Sequence, residues 1–296
     1  MSSWKGKSRG GFLGHLFFVF ILKYLGLTVA YFFLRFVALY FLFFTPKAFK
    51  AIFYLNNKLL GFGVVRSIFN VYLNFYKFGQ ILVDKATMFS GFHENFEHTS
   101  IGMENIKEIV DGNRGGVLIT SHFGGWQSAV FFLKDTGIKP RLLMVEEEHD
   151  KIKQLFKKMP HADSMDTIPM SNNLSHIFEV AKTLRNGNLI SIQGDRTLEG
   201  SKNIRVRFLG QEADFPAGPF AVIARFDVPV TFIFAVKTGK TQYKCTASPV
   251  IRLSDHPELK KKEEKEKFLV KQYARILEEY VLEYPEQWFN YYDFWQ

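Results

Sequence analysis

The sequence predicts an α/β fold, a mostly parallel central sheet flanked by helices, carried behind an apolar N-terminal segment. Three observations predict it. From about residue 115 onward, short β-rich runs alternate with stretches of helical spacing, the rhythm of strands buried on both faces between layers of helix. Ahead of them, Phe12 to Phe44 form an apolar stretch interrupted by only two full charges, Lys23 and Arg35. At 296 residues the chain suffices for one substantial core and a smaller appendage, and is short for two large domains. The expected division is an N-terminal anchor or hairpin over 1–56 and an α/β domain over 57–296.

The apolar stretch is longer than a signal peptide and shows no small-residue cleavage site. As one helix it would run about 50 Å, well beyond a hydrocarbon core of ~30 Å, yet two full crossings need about 40 residues plus a turn. Lys5, Lys7 and Arg9 precede it, and Lys47, Lys50, Lys58 and Arg66 follow. Positive charge on both flanks favours both ends on the cytoplasmic side, so a re-entrant or shallow hairpin is expected. A tilted single span with snorkelling Lys23 and Arg35 and a buried helix pair are the alternatives.

Residues 57–90 carry Ile68, Tyr72, Phe75, Tyr76 and Leu82 at helical spacing, which reads as one or two amphipathic helices. Strands are expected at 116–120, 141–145, 166–170, 188–193 and 229–236, with helices near 125–135, 148–158, 173–186 and 217–226. The runs 204–209 and 243–253 are candidate antiparallel additions. A final helix is expected over 258–284, with Leu269, Tyr273, Ile276, Leu277, Tyr280, Val281 and Tyr284 on one face.

Composition narrows the partners. The chain has 33 Phe and a formal charge of +9, a pairing suited to a lipid interface with anionic headgroups. Nothing resembles a helix-turn-helix, an RNP string or a zinc spacing, so nucleic acid is not expected. The one cysteine, Cys245, excludes an intramolecular disulfide and a Cys-based metal cluster; ordinary packing is expected for it. The acids of "EEEHD" at 146–150 have the look of a metal cluster, but acids in a first helical turn complement the helix dipole, and no metal is expected.

The stretch "SHFGGWQSA" at 121–129 follows the first buried strand. In an open α/β sheet, ligands sit beyond the carboxyl ends of strands, which is where His122 falls. Gly124 and Gly125 allow close backbone approach, and their N–H groups are candidate donors to an oxyanion. A histidine satisfied within a tight turn is the competing reading. Five positions after His122 stands Gln127, an amide where an acid would complete a base and its helper.

The stretch resembles the His-x4-Asp/Glu box of the glycerolipid and lysophospholipid acyltransferase superfamily, and more closely its bacterial lipid A biosynthesis (lauroyl/myristoyl) branch. "GDRTLEG" at 194–200, "VRFLGQEADFPAGPFAVIAR" at 206–225 and "YPEQWFNYYDFW" at 284–295 fit that branch in order. The resemblance covers roughly residues 60–296, and the N-terminal segment matches the family's anchor. It implies a glycerolipid-acyltransferase-like fold and a reaction in which His122 deprotonates a lipid acceptor that attacks an acyl thioester. The co-substrate is then acyl carrier protein, or CoA, with no cofactor. It also implies an acidic carrier docking on a basic rim at the cytoplasmic face of the inner membrane.

Gln127 departs from that pattern: its carbonyl can orient the ring but brings no charge to offset an imidazolium. Three explanations stand. Another carboxylate folds in beside His122, with Asp195 first and Glu146 second; or the acceptor needs less help; or the chain is a silent lipid-binding or scaffold relative. A thioesterase is a further reading. Arg196 is a candidate phosphate or carrier ligand, since a guanidinium grips such oxygens in bidentate fashion, against a local Asp195–Arg196 salt bridge. Arg205 and Arg207 share one strand face and either extend the basic surface or are simply solvated. "MVEEEHDKIK" lacks an arginine-rich stretch associated with lipid A enzymes, and is more similar to the branch beside aryl-polyene, flexirubin and aminolipid biosynthesis.

Overall fold

The computed structural model describes residues 12–126, 128–129, 133, 137–145, 166–170, 175–197 and 200–295. Its centre is a seven-stranded sheet of order β1-β9-β8-β2-β5-β3-β4. The strands are β1 (Glu97–Ile101), β2 (Gly116–Thr120), β3 (Arg141–Val145), β4 (Thr167–Met170), β5 (Leu189–Gln193), β8 (Val230–Lys237) and β9 (Gln242–Ala247). Five of them, β4-β3-β5-β2-β8, run parallel, and β9 returns antiparallel to β8 with β1 parallel to it. Every residue of β2 and β8 is buried, as expected of strands covered on both faces.

A separate antiparallel hairpin, β6 (Asn203–Phe208) with β7 (Gln211–Pro216), accounts for the run at 204–209. The antiparallel addition expected over 243–253 is β9. The edge strand β1 was not expected: its "EHTSI" is exposed at every position and lacks the alternation that marks a half-buried strand. The helices expected near 148–158, and most of that near 125–135, lie outside the described residues. Helices α5 (Met103–Asp111), α6 (Ser175–Arg185), α7 (Gly218–Phe226) and α8 (Lys262–Glu283) flank the sheet. From α8, Leu269, Val270, Tyr273, Leu277 and Val281 enter the main core with Phe220, Phe232 and Phe234.

The N-terminal stretch is two helices, α1 (Phe12–Tyr24) and α2 (Gly26–Phe44), followed by α3 (Pro46–Tyr54) and, after a short π-helical turn, α4 (Val64–Thr87). Gly26, at φ 78°, makes the turn. Phe17 and Phe33, equidistant in sequence from Leu25, meet edge to face with ring centroids 5.4 Å apart, so α1 folds back on α2. Helix α2 then runs along α4 through a narrow stripe, Ala30, Tyr31, Leu34 and Ala38. Leu34 sits over Gly79, where an added Cβ would come within 2.9 Å of it. The opposite face of α2 shows Phe32, Phe36, Leu39, Tyr40, Phe43 and Phe44 to the outside. Among the described residues, α2 alone is by length and composition long and apolar enough to cross a membrane.

One buried cluster ties these helices to the sheet. The Lys237 ammonium, at the end of β8, pairs with Asp84 of α4 at 2.5 Å, and both side chains are fully buried. The hydroxyls of Tyr31 from α2 and Tyr243 from β9 also donate to Asp84, and Lys237 donates to the Lys240 carbonyl at 2.6 Å. Burial pushes the Asp84 carboxyl up and the Lys237 ammonium down, against the attraction between them. Lys237→Met strands the carboxylate in a dry site and is expected to cost about 3–5 kcal/mol, read as a lower Tm in detergent. Adding Asp84→Asn should recover part of that loss. An unchanged Tm for Lys237→Met would contradict the pairing.

Candidate active site

The register of two parallel neighbours builds the site. Strands β2 and β5 pair with Thr120 opposite Gln193, and the chain continues from each in the same direction. His122 and Asp195 each lie two residues beyond that last pair, so they emerge side by side at the carboxyl edge of the sheet. His122 Nδ1 is 2.8 Å from Asp195 Oδ1. The other carboxylate oxygen accepts the His122 backbone N–H at 2.8 Å and the Trp288 indole N–H at 3.2 Å.

Asp195 is 2% exposed and His122 5%, so neither is bathed in water. Burial pushes the Asp195 carboxyl up, but the His122 ring, its backbone N–H and the Arg196 guanidinium outweigh burial and hold it below the usual carboxylate value. An ionised carboxylate only accepts hydrogen bonds. The Nδ1 hydrogen therefore points to Asp195, and the basic lone pair of the neutral ring resides on Nε2. The Trp126 ring stands edge-on to the imidazole at 5.3 Å between centroids. This arrangement can take up a proton at Nε2, with a fixed negative charge beside Nδ1 to offset the imidazolium.

The glycine expectation needs correction. The Gly124 N–H donates to the Gln287 carbonyl at 2.8 Å and the Gly125 N–H to the Ala235 carbonyl at 2.6 Å. Both are spent within the fold and neither is left for an oxyanion. What the glycines supply is closeness: at Gly124, with φ 53°, a Cβ would lie 2.1 Å from the Ala235 oxygen, and at Gly125 it would lie 2.5 Å from the Tyr243 ring. A left-handed backbone and this contact with β8 together admit only glycine at 124.

Arg196 is half-buried next to the pair, with Nη2 donating to the Phe289 carbonyl at 3.3 Å. Arg205 and Arg207 are both exposed on β6. Arg205 is held in bidentate fashion by Asp214 across the hairpin, at 2.8 Å for each bond, and Arg207 stands opposite Glu212 in the register. Gln127 and Glu146 lie outside the described residues. The ring nitrogen for which Gln127 was a candidate partner is already occupied by Asp195. Among the described residues no group of three His, Cys, Asp or Glu gathers to hold a metal. Cys245 is buried, and burial pushes its thiol up to about 12.

Trp288, Gln287 and Tyr292 were not anticipated as neighbours of the pair. The Tyr292 hydroxyl donates to the Asp195 carbonyl at 3.1 Å, and the Phe289 N–H donates to the His122 carbonyl at 2.9 Å. Their signal was the density of aromatics over 284–295, which carries no periodicity to say what it packs against.

Comparison with known proteins supplies two findings. A family model described as bacterial lipid A biosynthesis acyltransferase matches residues 10–296. Among solved structures, the chain is similar to the crystal structure of the 1-acyl-sn-glycerophosphate (LPA) acyltransferase PlsC from Thermotoga maritima. That likeness has 12% identity and a TM-score of 0.42, covering 88% of this chain and 96% of that one. No curated protein matches the chain.

Proposed function

Because the chain belongs to the bacterial lipid A biosynthesis acyltransferase family, with a match over residues 10–296, we propose that it moves a fatty acyl group from a thioester carrier to a lipid acceptor with His122 as general base. The observation that carries this reading is the buried 2.8 Å contact between His122 Nδ1 and Asp195. Nε2 takes the proton of the acceptor hydroxyl or amine, and the freed lone pair attacks the thioester carbonyl. As the carbon–sulfur bond breaks, the imidazolium returns its proton to the leaving thiolate. The products are an acylated lipid and a free carrier thiol. A neutral imidazole is a usable base at cytoplasmic pH. Asp195 stays ionised across that range and favours the imidazolium as it forms. Acyl carrier protein is the proposed donor, with CoA as the alternative.

The acceptor is met at a membrane surface in this reading. Packed lengthwise on α4, α2 turns its Phe-rich face outward together with Phe17, Phe20 and Tyr24 of α1, the pattern of helices that lie in an interface with their apolar side in the acyl region. Lys47 and Lys50 are exposed just beyond Phe43 and Phe44, placed to meet anionic headgroups. We assign this face to the cytoplasmic leaflet of the inner membrane, where both thioester carriers are found.

In vesicle flotation the full chain should rise with anionic lipid, and Phe36→Glu/Phe43→Glu should stay with the soluble fraction at unchanged Tm; equal flotation of the double variant would remove this docking face. With labelled acyl carrier protein and a membrane lipid extract, wild type should yield an acylated lipid. His122→Ala should do so at least about 10³-fold more slowly. Full transfer by His122→Ala would exclude the base. Free fatty acid without acylated lipid would favour the thioesterase, and no product from any version the silent scaffold.

A further inference from the structure

Residues 287–292 touch the proton-transfer pair from several sides. Phe123 and Trp288 form an antiparallel bridge, in which the Gln287 carbonyl accepts from Gly124 and the Phe289 N–H donates to His122. The Trp288 indole reaches Asp195 Oδ2, and the Tyr292 hydroxyl reaches the Asp195 carbonyl. The segment is itself fastened from behind. Asn74 of α4 donates to the Trp288 carbonyl at 2.9 Å. The Gln287 amide exchanges two 2.9 Å bonds with the Lys237 backbone, the residue whose ammonium pairs with Asp84.

We infer that this segment is a positioning strap for the His122–Asp195 pair and that the Trp288 N–H is its contact with the carboxylate. The inference rests on the reading of His122 as base. Trp288 is 1% exposed and packed among the rings of Phe208, Phe294 and Trp295, so its ring cannot swing without disturbing the core. A buried indole N–H needs an acceptor, and here the acceptor is Oδ2. With Oδ2 pinned by the indole and by the His122 backbone N–H, rotation of the carboxylate is blocked and Oδ1 is presented to the imidazole. Trp288 touches neither carrier nor acceptor in this scheme; it acts through Asp195.

The test needs no substrate, so it separates failure of the strap from failure of the acyl-transfer reading. In the full chain in detergent, the proton between His122 Nδ1 and Asp195 is expected to give a protected downfield NMR signal that disappears in His122→Ala. Replacing Trp288 with 3-benzothienylalanine keeps the bicyclic shape but deletes the N–H. The signal should then exchange with solvent about ten-fold faster, the worth of one hydrogen bond, at an unchanged Tm. 5-Fluorotryptophan at 288, which keeps the N–H, should behave as wild type. Unchanged exchange in the benzothienyl protein would overturn the strap while leaving the pair intact. Absence of the signal from wild type would overturn the pair and the strap together.

Discussion

A carboxylate sealed from water beside an imidazole is the constraint on which the rest of this structure turns. Taking Asp195 out of water is expensive unless its oxygens are satisfied, and here the imidazole, a backbone N–H and an indole N–H satisfy them. The same dryness strengthens the attraction between the carboxylate and the positive charge that develops on the ring. The pairing follows from the alignment of β2 with β5. A one-residue slip between those strands would turn Asp195 to the other face of the sheet and leave His122 without a counter-charge.

The departure from the family box is thereby understood in physical terms. An acid five positions after the histidine is one way to offset an imidazolium; an acid from the neighbouring strand is another. The glycines take on a different role from the one their spacing suggested. They let the loop after His122 lie on β8 and against residues 287–289, so the backbone is used to hold the ring rather than to receive an oxyanion.

Much of the sheet was legible because strands buried on both faces announce themselves as apolar runs, as "GVLIT" and "TFIFAV" do. Asp195 was legible as a candidate because it follows such a run. Its contact with His122 was not, since strand order and register are properties of the packed sheet. Strand β1 was hidden by its polar, exposed edge. The Asp84–Lys237 pair was hidden because a lysine ending a strand and an aspartate within a helix ordinarily meet solvent; only the packing of α2 and α4 against β8 buries them. The segment 287–292 is irregular, and irregular chain has no period from which a partner can be read.

The buried cluster and the strap also join the outward Phe face of α2 to the reacting ring through named bonds: Tyr31 to Asp84, Asp84 to Lys237, Lys237 to Gln287, and Gln287 to Gly124. The proposed lipid-docking surface is thus held in a fixed relation to the proposed base. Whether the neighbouring strand supplies the counter-charge which the box omits is decided by comparing acyl transfer in Asp195→Asn and Gln127→Leu, each confirmed folded by its Tm. With Asp195 as the counter-charge, kcat should fall about 10³–10⁴-fold for Asp195→Asn, near the loss seen when a triad aspartate becomes asparagine, and change by no more than about a few-fold for Gln127→Leu. The opposite ranking, with Gln127→Leu inactive and Asp195→Asn near wild type, would contradict that role.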